Sequence, residues 1–484
     1  MDMRVVAFVL SKLLLAEAVI LLLPLGLSLA ARDGMTWVFS VAAMLTGLVA
    51  FGCKTYGHTH AASLTMREGI AITGLGWLLA VSMGMTPYLL GGWLGPLDAV
   101  FESISGFTGT GATVMTGLDF LPPSLLFWRM MTNWFGGLGI IVIFIAILPQ
   151  TGQSTVYMYN AETTGPSKDR VLPRLRDMTR ILFSMYVCFT AIAAVVFLLC
   201  GMSPLIAVMH AMSAISTCGF STFDSSAMNF DNWPLETCMT LFMILGGGNF
   251  GLYYRVWHKG LWVLRQNTEF RAYLGIELGA MLLIAANLIF ALDMTPSEAW
   301  RYASFQVSSI SATAGFVSAD YERWPIFSQG ILLLLMFGGG CAGSTAGGMK
   351  IARIVLLFKQ AWRIVHQKLR PQRILTVHMD GQCVDDETLL RVGEFFFLYM
   401  VFIVFFALLY TWDGLEVFDA IGVSVSAIGN VGPAFGIAGA TQNFAALPDF
   451  TKFALCFEML MGRLEIFTFI ALLRPAFWRR RSGW

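Results

Sequence analysis

The chain has 484 residues, 57% hydrophobic and 13% charged, with a formal net charge of +1. Average soluble domains carry about 25% charged residues, so a water-soluble enzyme and a nucleic-acid-binding module are both excluded. Apolar runs of roughly 20 residues, without the short alternating segments of a membrane barrel, make this an all-α membrane protein whose first partner is the lipid bilayer.

In chain order, uncleaved spans are expected at about 7–30 and 36–53, forming an N-terminal pair over 1–68. One plan then repeats four times: a span, a half-length segment, a glycine loop and a second span. Unit 1 (69–150) reads as 69–91, 97–108, loop, 123–149. Unit 2 (151–256) reads as 181–200, 204–216, loop, 234–256. Unit 3 (257–358) reads as 272–293, 297–311, loop, 327–350. A hydrophilic connector, 359–391, leads to unit 4 and the C-terminal tail (392–484), with 392–412, 416–428, loop and 450–473. This gives about ten transmembrane helices, with four pseudo-symmetric helix–pore-loop–helix units around one pore.

The repeat is in register without gaps. Gly111, Gly219, Gly315 and Gly432 each follow an Ala by twelve residues (Ala99, Ala207, Ala303, Ala420) and a Ser by six (Ser105, Ser213, Ser309, Ser426). Four copies of one unit can surround an axis that no single copy could enclose. A segment of about 12 residues spans about 18 Å as a helix, too short for a hydrocarbon core of about 30 Å. Each half-segment must therefore enter and return on one side. Asp98, Pro204, Pro296 and Asp419 mark their starts. Backbone leaving a helix at membrane depth must line a cavity or be buried in protein, so the four loops are expected to converge. A second mark lies 23 to 30 residues further on in each unit: Gly136-Gly137-Leu138-Gly139, Gly246-Gly247-Gly248, Gly338-Gly339-Gly340 and Gly462-Arg463.

Charge placement sets the orientation. The segments assigned to one side hold 25 of the 31 Lys and Arg residues, whereas the opposite loops hold Arg32 and Arg323. The positive-inside rule then puts both termini in the cytoplasm and every re-entrant loop at the outer face. The connector 359–391 reads equally as a docking surface, for a cytosolic partner or for anionic lipid heads, or as a plain basic link. The eight cysteines form no CxxC pair and the six histidines no ligand set, so no organic cofactor or catalytic metal is expected. No Ser-His-Asp set, HExxH or P-loop occurs, and the chain is not expected to be an enzyme.

The loop cores carry no charged side chain. They read Gly109-Thr110-Gly111, Thr217-Cys218-Gly219, Thr313-Ala314-Gly315 and Asn430-Val431-Gly432. Ligands there are backbone carbonyls, helped by Thr hydroxyls or the Asn amide. Such a weak-field oxygen cage suits a large monovalent cation better than Mg²⁺ or Ca²⁺, which take carboxylates.

Three motifs then carry a resemblance. Phe107-Thr108-Gly109-Thr110-Gly111-Ala112-Thr113-Val114 resembles the F-T-T-T-G-A-T-V signature of the Trk/Ktr/HKT potassium-transporter superfamily. Gly338-Gly339-Gly340-Cys341-Ala342-Gly343-Ser344-Thr345-Ala346-Gly347-Gly348-Met349-Lys350 is similar to its G-G-x-x-G-S-T-x-G-G-x-K loop, and Gly462-Arg463-Leu464-Glu465 to its G-R-L-E motif. The likeness covers nearly the whole chain, with the two extra N-terminal spans of the bacterial Trk type. It implies potassium uptake across the bacterial inner membrane, homodimerisation and control by a cytosolic nucleotide-binding regulatory subunit. Glycine in all four loops goes with K⁺ in this superfamily. Gly109 in place of Thr, and Cys218 in place of Gly, leave Na⁺, Rb⁺ or Cs⁺ permeation open; coupling to H⁺ is a separate alternative that the sequence does not demand.

Beneath the loops a gate is expected. Gly338, Gly339, Gly340, Gly343, Gly347 and Gly348 interrupt the second span of unit 3 together with Ser344, Thr345 and Lys350. Each glycine costs a helix interior about 1 kcal/mol, so a break is expected over 338–350. Arg463 falls near the middle of 450–473, where a central Arg costs about 2.5–3.5 kcal/mol. It is expected to face the pore, the carbonyls of 338–350 or an acidic group, and to act as a barrier or else as half of a buried structural ion pair. Glu102 is placed away from lipid, with loop amides as candidate partners and its role left open. A secondary transporter of an organic solute is the alternative; it predicts two related halves and a charged or aromatic midplane site.

Overall fold

The computed structural model describes residues 1–57, 65–139, 175–370, 372, 373 and 375–479. The expected helical stretch 140–149 and most of the basic segment 150–180 lie outside the described residues. The N-terminal pair packs as Met3–Ile20 with Leu22–Ala31 against Thr36–Tyr56. The outer helices of units 1 to 4 are Met66–Gly84 (continued by Thr86–Leu90), Leu175–Leu199, Thr268–Leu292 and Asp386–Trp412. Their outward faces carry exposed Leu282, Leu283, Phe290, Val404, Phe405 and Leu408, an apolar coat that suits lipid and not water.

The half-helices are Pro96–Thr108, Pro204–Ser216, Pro296–Ser311 and Val417–Gly429. The first three open on a proline at the first helical position, where its fixed φ fits and its missing N–H costs no bond. The alanines at the matched position, Ala99, Ala207, Ala303 and Ala420, are all at most 1% exposed.

The inner helices differ from the sequence expectation. The sequence predicts one break, in unit 3; the structure breaks the inner helix of units 2, 3 and 4 at the second mark and ends that of unit 1 there. Pro123–Leu138 ends at Gly139 (φ 89°). Trp233–Gly247 turns by 94° into Phe250–Lys259. Ile326–Gly338 ends at Gly339 and the helix resumes at Ile351–Leu369. Asp449–Leu464 is separated from Ile466–Leu473 by Glu465 (φ 60°). Six described helices are therefore long and apolar enough to cross a membrane unbroken, with the bent pair of unit 2 making a seventh. The breaks have a steric cause. A Cβ on Gly136, Gly246 or Gly462 would strike the end of its own unit's half-helix, at Phe107 O, Thr217 Cγ2 and Ile428 O respectively. Glycine lets the inner helix approach the loop base closely, and its helix cost makes the same point the natural place to stop.

The connector holds an unforeseen element, a two-stranded antiparallel hairpin. Val377–Met379 pairs with Gln382–Val384 in the register Val377↔Val384. The turn is Asp380-Gly381, both at positive φ.

Candidate functional site: a closed ring of four glycine loops

Each half-helix ends by turning left-handed at the residue two before its central glycine. These residues are Gly109 (φ 75°), Thr217 (52°), Thr313 (53°) and Asn430 (52°). The central glycines follow at 78°, 77°, 75° and 105°. Two positive-φ residues in alternate positions reverse the chain within one turn, and only glycine adopts the second without steric cost. The matched serines receive the turn: Ser105 O accepts Thr110 N at 3.0 Å, Ser213 O accepts Cys218 N at 3.2 Å, Ser309 O accepts Ala314 N at 2.7 Å, and Ser426 O accepts Val431 N at 2.9 Å.

The loops touch in cyclic order. A Cβ added to Gly111 would strike Cys218 O, and one on Gly219 would strike Ala314 O. On Gly315 it would lie 2.5 Å from Val431 O, and on Gly432 2.7 Å from Thr110 O. Each unit leans on the carbonyl preceding the next unit's central glycine, and the fourth returns to the first. The segments after the loops repeat this order. Leu118 N donates to Asp224 (3.2 Å), Met228 N to Val317 O (3.1 Å), Tyr321 Oη to Ala434 O (2.7 Å) and Phe444 N to Thr113 O (2.9 Å). At the third seam, Glu322 also accepts from Gly436 N at 2.6 Å. Burial raises that carboxyl's pKa above the ordinary value.

One cavity of about 260 Å³ is lined by all four central glycines, with Arg129, Asp224, Gln442 and Asn443 among its other walls. The half-helices meet the loops with their C-terminal ends, which carry partial negative charge. The arrangement therefore offers peptide oxygens and four helix dipoles to a cation.

The side chains expected to help bind are otherwise engaged. Thr217 Oγ1 bonds Thr345 Oγ1 at 3.1 Å, and Thr313 Oγ1 accepts from Gly347 N at 2.7 Å. The Asn430 amide nitrogen donates to Thr110 Oγ1 at 2.9 Å and to Met459 O at 3.1 Å. The Cys218 thiol donates to Ser216 O at 3.1 Å. These side chains tie the loops to one another and to what lies beneath, leaving the backbone carbonyls as the oxygens on offer.

Beneath the ring sits the interrupted segment 338–350. Cys341 N donates to Gly247 O (2.8 Å), Phe250 N to Gly343 O (3.2 Å), and Thr345 Oγ1 to Ile215 O (3.0 Å) and Gly246 O (3.1 Å). Gly339, Gly343, Gly348 and Lys350 all have positive φ. Gly340 and Gly347 pack where a Cβ would meet Gly247 O and Gly429 O. The Lys350 ammonium donates to Ala346 O and reaches Ser344 Oγ at 3.5 Å. Arg463 donates to Gly137 O at 2.7 Å, to Gly136 O, and to Thr345 O at 3.4 Å. It bridges unit 1, unit 4 and the loop of unit 3, making the contact with loop carbonyls that the sequence suggested.

The family model described as TrkH, cation transport protein, matches residues 39–480. The chain belongs to this family. It is 35% identical over 486 residues to the Trk system potassium uptake protein TrkH of Halomonas elongata, covering 99% of this chain and 100% of that one. To the protein of the same name in Escherichia coli K12 it is 36% identical over 423 residues, covering 86% and 87%. The crystal structure of the potassium transporter TrkH from Vibrio parahaemolyticus superposes with a TM-score of 0.89 at 33% identity, covering 99% of this chain and 100% of that one.

Within this TrkH fold, sequence reasoning offered loop amides as partners for Glu102 but missed the layer it belongs to. Nine residues before the central glycines stand Glu102, His210, Gln306 and Val423. Three of them hold the strand that leaves the loop. Glu102 accepts Val114 N at 3.0 Å, Gln306 accepts Ser318 N at 3.0 Å, and a His210 ring nitrogen lies 3.2 Å from Ser221 Oγ. The signal was available: three polar residues at one repeat position inside apolar half-helices. The partner of Glu102 was not available. Arg129, with its side chain fully buried, bonds Glu102 at 2.8 Å, Ser221 O of unit 2 at 3.1 Å and Thr113 Oγ1 at 3.1 Å. Its guanidinium lies 4.1 Å from the Phe220 ring centroid. Removing one partner of a buried ion pair costs about 3–5 kcal/mol, because the other charge stays behind uncompensated. Glu102→Ala is expected to lower the thermal unfolding midpoint in detergent by a correspondingly large step. An unchanged midpoint would show that the pair holds nothing.

Proposed function

We infer that the chain passes potassium ions inward across the bacterial inner membrane, through a filter of peptide oxygens contributed by Gly109–Gly111, Thr217–Gly219, Thr313–Gly315 and Asn430–Gly432. The relatives in Halomonas elongata and Escherichia coli are named as potassium uptake proteins, and this chain takes the same role. The observation that carries the reading is the cyclic contact of the four loops around one cavity lined by Gly111, Gly219, Gly315 and Gly432.

In this reading both termini are cytoplasmic and units 1 to 4, with the boundaries given above, are the four quadrants of the pore. An ion enters from outside, exchanges its hydration shell for carbonyls, and meets the gate formed by 338–350 and Arg463. The membrane potential, about 2.3 kcal/mol per charge per 100 mV, drives the ion inward without a second substrate. A cytosolic nucleotide-binding subunit sets the gate, and two copies of the chain assemble as a dimer.

The test is tracer rubidium uptake into vesicles that hold the purified chain and a potassium gradient. Uptake is expected above that of protein-free vesicles, inhibited by external K⁺ far more than by Na⁺. Absence of uptake by both the folded wild type and its Arg463→Ala variant would sink the reading. Competition by an organic solute instead of K⁺ would favour the alternative transporter.

A further inference from the structure

One carboxylate ties the segment 338–350 to the helix that follows it. Glu269 Oε1 accepts Ala342 N, inside the segment, at 2.6 Å, and Ala352 N, in the first turn of the following helix, at 3.2 Å. Glu269 is 4% exposed.

Two residues earlier, Asn267 caps the same helix by accepting Phe270 N at 2.8 Å. Asp380, at the tip of the hairpin, grips this cap. It accepts Thr268 N at 2.6 Å and the Asn267 amide nitrogen at 2.9 Å. The hairpin also holds the helix on the far side of the loop, since Lys359 Nζ donates to His378 O at 2.7 Å. Val377 is buried in a small cluster with Leu356, Leu389 and Val392, whereas His378, Gln382 and Cys383 face outward. A displaced hairpin therefore drags the helix that follows the loop and the outer helix of unit 3 that carries Glu269.

We propose that Glu269 is the positioning residue of the gate and that the hairpin turn at Asp380 holds Glu269 in place from the other end of its cap. The proposal rests on the gated-pore reading and names what holds its gate. The loop is seated against Thr217 and Thr313, at the base of two glycine loops, so loosening its anchor opens the path. Glutamine at 269 keeps an oxygen where both amides point; alanine does not. Asparagine at 380 tolerates the left-handed turn but replaces one acceptor with a donor facing the Asn267 amide.

Two readouts test this on the full-length chain. In tracer flux, Glu269→Ala is expected to raise the rate at least fivefold and Asp380→Asn about twofold, with Glu269→Gln close to wild type. In mass-spectrometric mapping of thiol labelling, Cys341, fully buried beside Ala342, is expected to react faster in Glu269→Ala and Asp380→Asn but not in Glu269→Gln. Wild-type flux and wild-type Cys341 labelling in Glu269→Ala, alongside raised flux in Arg463→Ala, overturn the proposal while leaving the pore intact. The labelling arm needs no conduction, so it decides the anchor even if the wild type carries no potassium. If Glu269→Ala does not fold, Asp380→Asn against Glu269→Gln decides in the same two assays.

Discussion

Arg463→Ala is expected to raise potassium flux on the order of tenfold. Two effects act in the same direction. A fixed positive charge about 10 Å from a passing ion opposes it by roughly 2 kcal/mol at an effective dielectric of about 20, and each 1.4 kcal/mol or so is worth about tenfold in rate. Arg463 also clamps the loop. Its guanidinium donates to Thr345 O on one side and to the Gly136 and Gly137 carbonyls on the other. Hydrogen bonds from a charged donor contribute about 1.5–3 kcal/mol each, so alanine releases the segment beneath the ring. Arg463→Lys separates the two effects. Lysine keeps the charge but cannot span three carbonyls with a planar fork, so a lysine variant with wild-type flux assigns the control to charge. If alanine leaves tracer flux unchanged in a folded protein, Arg463 is no barrier.

Gly432→Ala and Gly315→Ala are expected to cut potassium flux by about a hundredfold and to erase most of the preference over sodium. The added Cβ would stand 2.7 Å from Thr110 O in one case and 2.5 Å from Val431 O in the other. Backbone cannot give way there without moving the next loop, because each loop abuts its neighbour around the whole ring. The left-handed φ adds about 1–2 kcal/mol for any residue with a Cβ, and overpacking adds about 1–3 kcal/mol. An oxygen cage displaced by a few tenths of an ångström no longer matches the ion it was built around. Gly330→Ala is the control. Nothing lies within 4 Å of a Cβ there, the site is a helix interior, and alanine should be neutral or stabilising by up to about 1 kcal/mol. The measurement is tracer uptake with potassium and sodium as competitors; ring variants that keep wild-type competition would remove the carbonyl cage from the mechanism.

The sequence by itself determined the number of units, their register and the class of the protein. Helix length against bilayer thickness separates full spans from half-helices, and a glycine at four matched positions marks where the chain must take a backbone that other residues resist. Both are local properties, so they survive without any knowledge of neighbours. The same local logic found the break over 338–350 in its six glycines. It missed the helix end at Gly139 and the breaks at Gly248 and Glu465, because three glycines in each of units 1 and 2 and one in unit 4 are compatible with a continuous helix. Only the base of the glycine loop packed against each inner helix forbids a side chain there, and that contact leaves no mark in the local pattern. The hairpin was missed because three-residue strands in a charged connector leave almost no periodic signal.

Partnership is what the tertiary structure alone decided. Arg129 and Glu102 are 27 residues apart, Lys452 meets Asp98 across 354, and Asn430 reaches Thr110 across 320. No spacing rule connects such positions; the packing of the inner helix on the half-helix within unit 1 joins the first pair, and the closing of unit 4 onto unit 1 joins the other two. It also decided the use of each polar side chain in the loops, committing Thr217, Thr313, Asn430 and Cys218 to bonds with their surroundings. Composition and spacing name the groups present, whereas the cost of leaving a buried donor or charge unmatched is settled only once the fold has brought its partner within reach.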